Sequence, residues 1–398
     1  LTTTPTVIRG VSRLACDAVE QLTNVVEAMH ANIAALSPPV GAGTDGRTRG
    51  VTGFVYENIR LVTGAVRVAV DASLALLTSD FGPALPAPRA EAVVSALNGV
   101  LGDYLVASGN PLAIPMQLRR DGESVVVDRE ALTRALPGAG GRLLLLVHGS
   151  CMNDRQWTRN GHDHGAALAR DLGFVPLYLL YNSGRHVSEN GRELAGLLES
   201  LVRCWPAPLD EVVILAHSMG GLVTRSACHY GKDARHGWID RLRKVVFLGT
   251  PHHGAPLERG GAWVHTLLGI SPYSAPLARL GAIRSAGVTD LRFGSVLDDD
   301  WLGRDRFESG DRRLAVPLPR DIACYVAAAT LGRRMRDLND RLLGDGLVPV
   351  ESALGRHAEA DEALAIPASR QWIGFGMSHW DLLDRPEVYE QLQRWLAE

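Results

Sequence analysis

Glu211-Val-Val-Ile-Leu-Ala216-His217-Ser218-Met219-Gly220-Gly221-Leu222 is an apolar run, then small residues around one serine, then the start of a helical pattern. That order predicts a strand that ends, turns sharply and becomes a helix, with Ser218 at the bend. Such a turn strains the serine backbone and brings neighbouring main chain close. Only small side chains fit two residues to either side, and Ala216 and Gly220 stand there. The common pattern has glycine at both places, so Ala216 is a mild departure.

An exposed serine is a weak nucleophile until a base takes its proton. The candidate base is His379, in Phe375-Gly-Met-Ser-His379-Trp-Asp-Leu-Leu383, directly after the last predicted strand. Asp345, in Gly344-Asp345-Gly346-Leu347-Val-Pro349, is the candidate acid that would orient and stabilise the imidazole. Asp381 is its nearest rival, but two residues from His379 it suits loop support better. Asp210, Asp290 and Asp321 lack the strand-then-turn setting. An oxyanion needs preorganised N–H donors. The residue after the serine, Met219, offers one, and the turn Val147-His148-Gly149-Ser150 after the first apolar strand offers Ser150, with Cys151 beside it. His148 and His217 read as local packing and hydrogen-bonding residues. Adjacent His252 and His253 point different ways and have no spaced partner, so neither a metal nor a cofactor is expected.

Around these turns the chain alternates. Leu143–Val147 is apolar throughout, as a strand buried on both faces requires. Val175–Tyr181, Val212–Leu215, Val245–Leu248, Ile322–Ala329 and Gln371–Phe375 read as further strands, with helices over Asn190–Trp205 and Gly221–Tyr230. Pro115–Asp128 reads as a hairpin turning at Asp121-Gly122. Alternating strands and helices predict an α/β sheet. Residues 1–110 read as a helical extension, with helices over Val11–Leu36, Val51–Leu77 and Glu91–Ala107, and 111–398 as the catalytic domain. About 255–320 breaks the rhythm with Gly, Pro and the aromatic residues Trp263, Tyr273, Phe293 and Trp301, which suits a lid-like insertion. Its run Asp298-Asp299-Asp300 reads as a solvated loop rather than a calcium site.

In this order Leu146-Val-His-Gly149, Ala216-His-Ser-Met-Gly-Gly221, Leu248-Gly-Thr-Pro-His-His-Gly254, Asp345-Gly-Leu-Val-Pro349 and Ser378-His-Trp-Asp-Leu-Leu383 resemble an α/β-hydrolase of the bacterial lipase and carboxylesterase type, and its inositol-deacylase-like branch. The resemblance covers about residues 140–398. It implies a mostly parallel central sheet flanked by helices and a serine hydrolase of carboxylic esters, acting on a small-molecule, lipid or polyester ester. Thioesterase, amidase or acyltransferase chemistry would use the same triad, and a non-catalytic binding module could use the same fold.

Composition fits that reading without deciding it. At 46% hydrophobic and 21% charged the chain has the balance of a globular protein. A net charge of −3 gives no sign of a nucleic-acid partner. Lys232 and Lys244 are the only lysines among the basic residues, a bias ascribed to base composition. The five cysteines have no C-x-x-C spacing; at least one must be free, and one or two disulfides would fit. Leu61–Leu77 carries Arg67 and Asp71 and is too short for a membrane span. The sequence opens at Leu1 without methionine, as a processed product would; no signal peptide is visible, and one could have been removed. Compartment and oligomeric state are left open.

Overall fold

In a computed structural model, the residues described are 4–35, 56–57, 59–60, 63–64, 87–255, 285–305, 311–319, 321–332 and 344–397. Two compact units are distinguished: Leu1–Ala90 with Leu105–Ala113, and Glu91–Tyr104 with Ile114–Glu398.

The first unit contains α1, Thr4–Ala35. It starts earlier than the apolar spacing predicts. Pro5 lies in its first turn, where a missing N–H breaks no bond. Arg60 reaches Asn24 Oδ1 at 2.9 Å and also meets Glu27. Asn110 Nδ2 donates to the Gly10 carbonyl at 3.1 Å. Most of the helix expected over Val51–Leu77 lies outside the described residues.

The helix α2, Ala87–Ala107, supplies residues 91–104 to the second unit. There Asn98 accepts from the Ile114 amide at 2.9 Å, and the Gly102 carbonyl accepts from Asn182 at 3.0 Å. Ala90–Ala107 is long and apolar enough to cross a bilayer by length and composition, and 50% of that window is buried within the protein.

The second unit is built on eight strands in the order β2-β1-β4-β3-β5-β6-β7-β8. The strands β1 (Gln117–Arg120) and β2 (Glu123–Val125) form the expected hairpin. Asp121 (φ 52) and Gly122 (φ 78) both take positive φ at its turn, as the twist of a two-residue hairpin demands. β1 runs antiparallel to β4, Val175–Leu180. From β4 across β3 (Arg142–Val147), β5 (Glu211–His217), β6 (Leu242–Leu248), β7 (Ala323–Thr330) and β8 (Gln371–Phe375), all pairings are parallel. Leu143 to Val147 are fully buried, which explains why β3 is apolar without alternation.

Helices cover the sheet. α3 is Arg129–Ala135, α4 His164–Leu172, α5 Val187–Cys204 and α6 Met219–Asp233. α5 and α6 pack tightly: a Cβ at Gly191 would lie 2.2 Å from Ser226 Oγ. α5 begins three residues before its expected start because a distant carboxylate caps it. Asp290, in the short α7 (Ala286–Asp290), accepts the Val187 amide at 2.7 Å. The chain continues through α8 (Val350–Ala353) and closes with α9 (Pro386–Ala397), whose Trp395 and Leu396 reach the core.

Of the expected insertion, 256–284, 306–310 and 320 lie outside the described residues. The acidic triplet departs from a solvated loop. Asp300 accepts from the amides of Val296, Leu297 and Leu314 at 2.9 Å each, and Asp298 meets Arg192. Asp299 alone of the three is exposed. The five cysteines are all free thiols.

Candidate active site

The chemistry gathers where the parallel strands end. β5 delivers Ser218 with φ 54 and ψ −127, a combination normally left to glycine. Its amide donates to the Leu248 carbonyl at 2.8 Å, which ties the bend to the end of β6. A Cβ at Gly220 would sit 2.5 Å from the carbonyl oxygens of both Val147 and His148. The requirement for a small residue there is thus backbone contact with the end of β3. Gly221 is needed for a separate reason, since its Cβ would fall 2.0 Å from Thr250 Oγ1.

Asp345 sits between Gly344 (φ 54) and Gly346 (φ 96), in a turn that folds back on its own carboxylate. One oxygen accepts from the amides of Leu347 (3.0 Å) and Val348 (2.8 Å). The other lies 2.6 Å from His379 Nδ1, and the Asp345 carbonyl takes the His379 amide at 3.0 Å. A carboxylate accepts, so Nδ1 carries the proton and Nε2 presents its lone pair. Asp345 and His379 are 2% and 1% exposed, so water competes little for this bond.

The His379 ring is held against the neighbours of Ser218. Its centroid is 4.6 Å from that of His217, and a Cβ at Gly249 would touch its Cε1 at 2.9 Å. Nε2 is buried without a hydrogen-bond partner, Ser218 included.

Opposite lies the turn after β3. A Cβ at Gly149 would come within 2.9 Å of Ser218 Cβ, which places this turn directly against Ser218. The Cys151 amide is taken by Ser183 Oγ at 3.0 Å, whereas the Ser150 and Met219 amides have no acceptor among the described residues. His148 shapes the turn. Its Nδ1–H donates to the Gly149 carbonyl at 2.8 Å, its Nε2 accepts the Tyr181 amide at 3.4 Å, and the Tyr181 ring stacks on it at 4.4 Å. Burial pushes its pKa down to about 4. Burial also pushes the Cys151 thiol up to about 11, outside the range of a reactive thiolate.

The rival acids are engaged elsewhere. Asp381 accepts from the Ser378 amide (2.7 Å) and hydroxyl (2.6 Å) within its own loop. Asp210 and Asp321 precede β5 and β7, at the opposite ends of the strands. Asp290 caps α5. His252 is fully buried against Phe247, and His253 Nδ1 meets the Arg313 guanidinium at 3.0 Å. Among the described residues no three metal-ligating side chains gather. Sequence reasoning passed over Ser183, Thr250 and the contact between His217 and His379, none of which carries a sequence signal.

Residues 138–307 match the family described as PGAP1-like alpha/beta domain. The chain has the α/β-hydrolase fold. The chain is similar to the Bacillus licheniformis lipase BlEst2 in its mature form at 18% identity and TM-score 0.42, over 65% of this chain and 93% of that one. It is similar to Aspergillus fumigatus lipase B at 12% identity and TM-score 0.41, over 99% and 85% of the two chains. For the Pyrobaculum calidifontis esterase the identity is 14% and the TM-score 0.39, over 81% and 95%. No curated protein matches this sequence.

Proposed function

We propose that the protein is a serine hydrolase of carboxylic esters with Ser218 as nucleophile, His379 as general base and Asp345 as orienting acid. The observation that carries this reading is the Asp345–His379 hydrogen bond at 2.6 Å beside a serine held at φ 54 on the strand-to-helix bend. Ser218 Oγ attacks the carbonyl carbon while His379 Nε2 takes its proton. The ion pair formed between the imidazolium and Asp345 stabilises the charge. The tetrahedral oxyanion accepts from the Ser150 and Met219 amides, each such donor being worth about 3 kcal/mol. Collapse expels the alcohol, protonated by His379. Water, activated by the same nitrogen, then attacks the acyl-enzyme and releases the acid.

The substrate class we assign is a hydrophobic acyl ester, lipid or aliphatic polyester included. It is supported by the aromatic content of the 255–320 region, where Phe293 and Trp301 are described. The test is turnover of p-nitrophenyl esters from short to long acyl chains. Wild type should hydrolyse them with an acyl-enzyme burst, and Ser218→Ala should abolish turnover. Asp345→Asn should lower kcat by roughly 10⁴-fold, while Asp381→Asn leaves most activity. A folded wild type that turns over no ester, or matches Ser218→Ala, would remove the reading.

A further inference from the structure

His217 has a feature that its place beside the nucleophile does not require. Its Nε2 lies 3.3 Å from the backbone carbonyl oxygen of His379, 162 residues away in the chain. A carbonyl only accepts, so Nε2 carries the proton and donates, and Nδ1 is left as a bare lone pair. That Nδ1 is buried without a partner, and a Cβ at Gly149 would lie 3.1 Å from it. One ring therefore touches the base's backbone and the turn that offers the Ser150 amide, from the residue preceding Ser218.

We propose that His217 is a positioning residue for the hydrolytic reaction, a neutral imidazole whose Nε2–H fixes the His379 backbone relative to Ser218. His379 is then held at three points. Asp345 accepts from its amide and its Nδ1–H, and His217 Nε2–H donates to its carbonyl. The two Asp345 bonds fix the base to the acid's turn. The His217 bond fixes it to the nucleophile's own strand, and so sets the separation across which the proton moves.

The ring is built to stay neutral while its neighbour charges. It is fully buried, with the rings of Trp157 at 6.4 Å and Trp380 at 6.0 Å. Burial first, and the nearby His379 second, hold its pKa well below the ordinary range. The other titratable rings acting on it, His148 and His164, are buried and pushed to about 4, so they carry no charge at neutral pH. A second proton on His217 would have no acceptor at Nδ1, and would set a like charge beside the imidazolium that forms on His379.

This inference rests on the hydrolase reading, and its test separates the two. His217→Phe keeps a flat ring and removes the donor; His217→Gln keeps an N–H donor. Each is read by p-nitrophenyl butyrate kinetics, by the pH profile of kcat/KM, and by the downfield proton resonance of the Asp345-bound Nδ1–H of His379 in resting enzyme. His217→Phe should lower kcat by roughly 10- to 100-fold with KM changed by less than about twofold, the signature of a misplaced group rather than lost binding. Its acid limb should shift and the Nδ1–H resonance broaden by faster exchange, while His217→Gln recovers most of the rate and the resonance. If His217→Phe does not fold, the slimmer His217→Met serves the same comparison. Wild-type kcat, acid limb and resonance in the donorless variant would overturn the proposal, as would equal impairment in His217→Gln. A wild type without esterase activity would sink the hydrolase reading, and the resonance would still decide whether His217 anchors His379.

Discussion

Ser218 carries a strain that its fold would do better without. A non-glycine residue at φ 54, ψ −127 costs on the order of 1–3 kcal/mol, and the hydrogen bond to Leu248 together with the packing of α6 hold it there. Ser218→Gly removes the clash and loosens the unfolded chain, an effect of about 0.4–1 kcal/mol in the other direction. The first is larger, so Ser218→Gly should be inactive and more stable, by about 1 kcal/mol over Ser218→Ala. Thermal unfolding of both variants checks this, and a Ser218→Gly protein that melts below Ser218→Ala contradicts it. The turns that carry Ser218, His379 and Asp345 are legible in the sequence because each lies directly after a strand or beside flanking glycines. His217 is not, since its partner is a carbonyl 162 residues away.

At the scale of elements, the join between β5 and α6 depends on α6 lying against the end of β3. The two carbonyls 2.5 Å from a notional Cβ at Gly220 are main chain, and main chain cannot rotate away as a side chain can. Gly220→Ala should therefore push α6 off the Val147–His148 turn, destabilise the protein by about 1–3 kcal/mol and move the Met219 and Ser150 amides apart. Urea unfolding and ester turnover measure the two effects. Full activity with an unchanged midpoint would show that the contact yields. The β-strand positions are read well from apolar runs, and the hairpin from its Asp-Gly turn. The ends of the helices are read less well. α5 starts at Val187 because Asp290, 103 residues on, caps it, and spacing within a helix says nothing of such a partner.

Across the whole molecule, buried neutral histidines make stability depend on acid. His148 and His164 are fully buried and burial lowers both to about 4 from the ordinary 6.5; burial also holds His217 and His252 well below that ordinary value. Between about pH 4 and 6.5 the unfolded chain binds protons that the folded one excludes. Stability is thus complete above about pH 6.5 and falls as pH drops through that window, by up to about 1.4 kcal/mol per pH unit for each such ring. Urea midpoints measured from neutral pH down to about pH 4 should decline steadily, and a flat profile would refute the assignment. The sequence by itself determined an α/β sheet and the turns after its strands, because apolar runs and small residues at a bend are local requirements. It did not determine what joins those turns. The tertiary structure shows that Asp345 and not Asp381 meets His379, that Ser183 engages the Cys151 amide, and that His217, next to Ser218, reaches the His379 carbonyl. Each depends on which buried donor finds which acceptor, and burial exists only once the sheet has assembled.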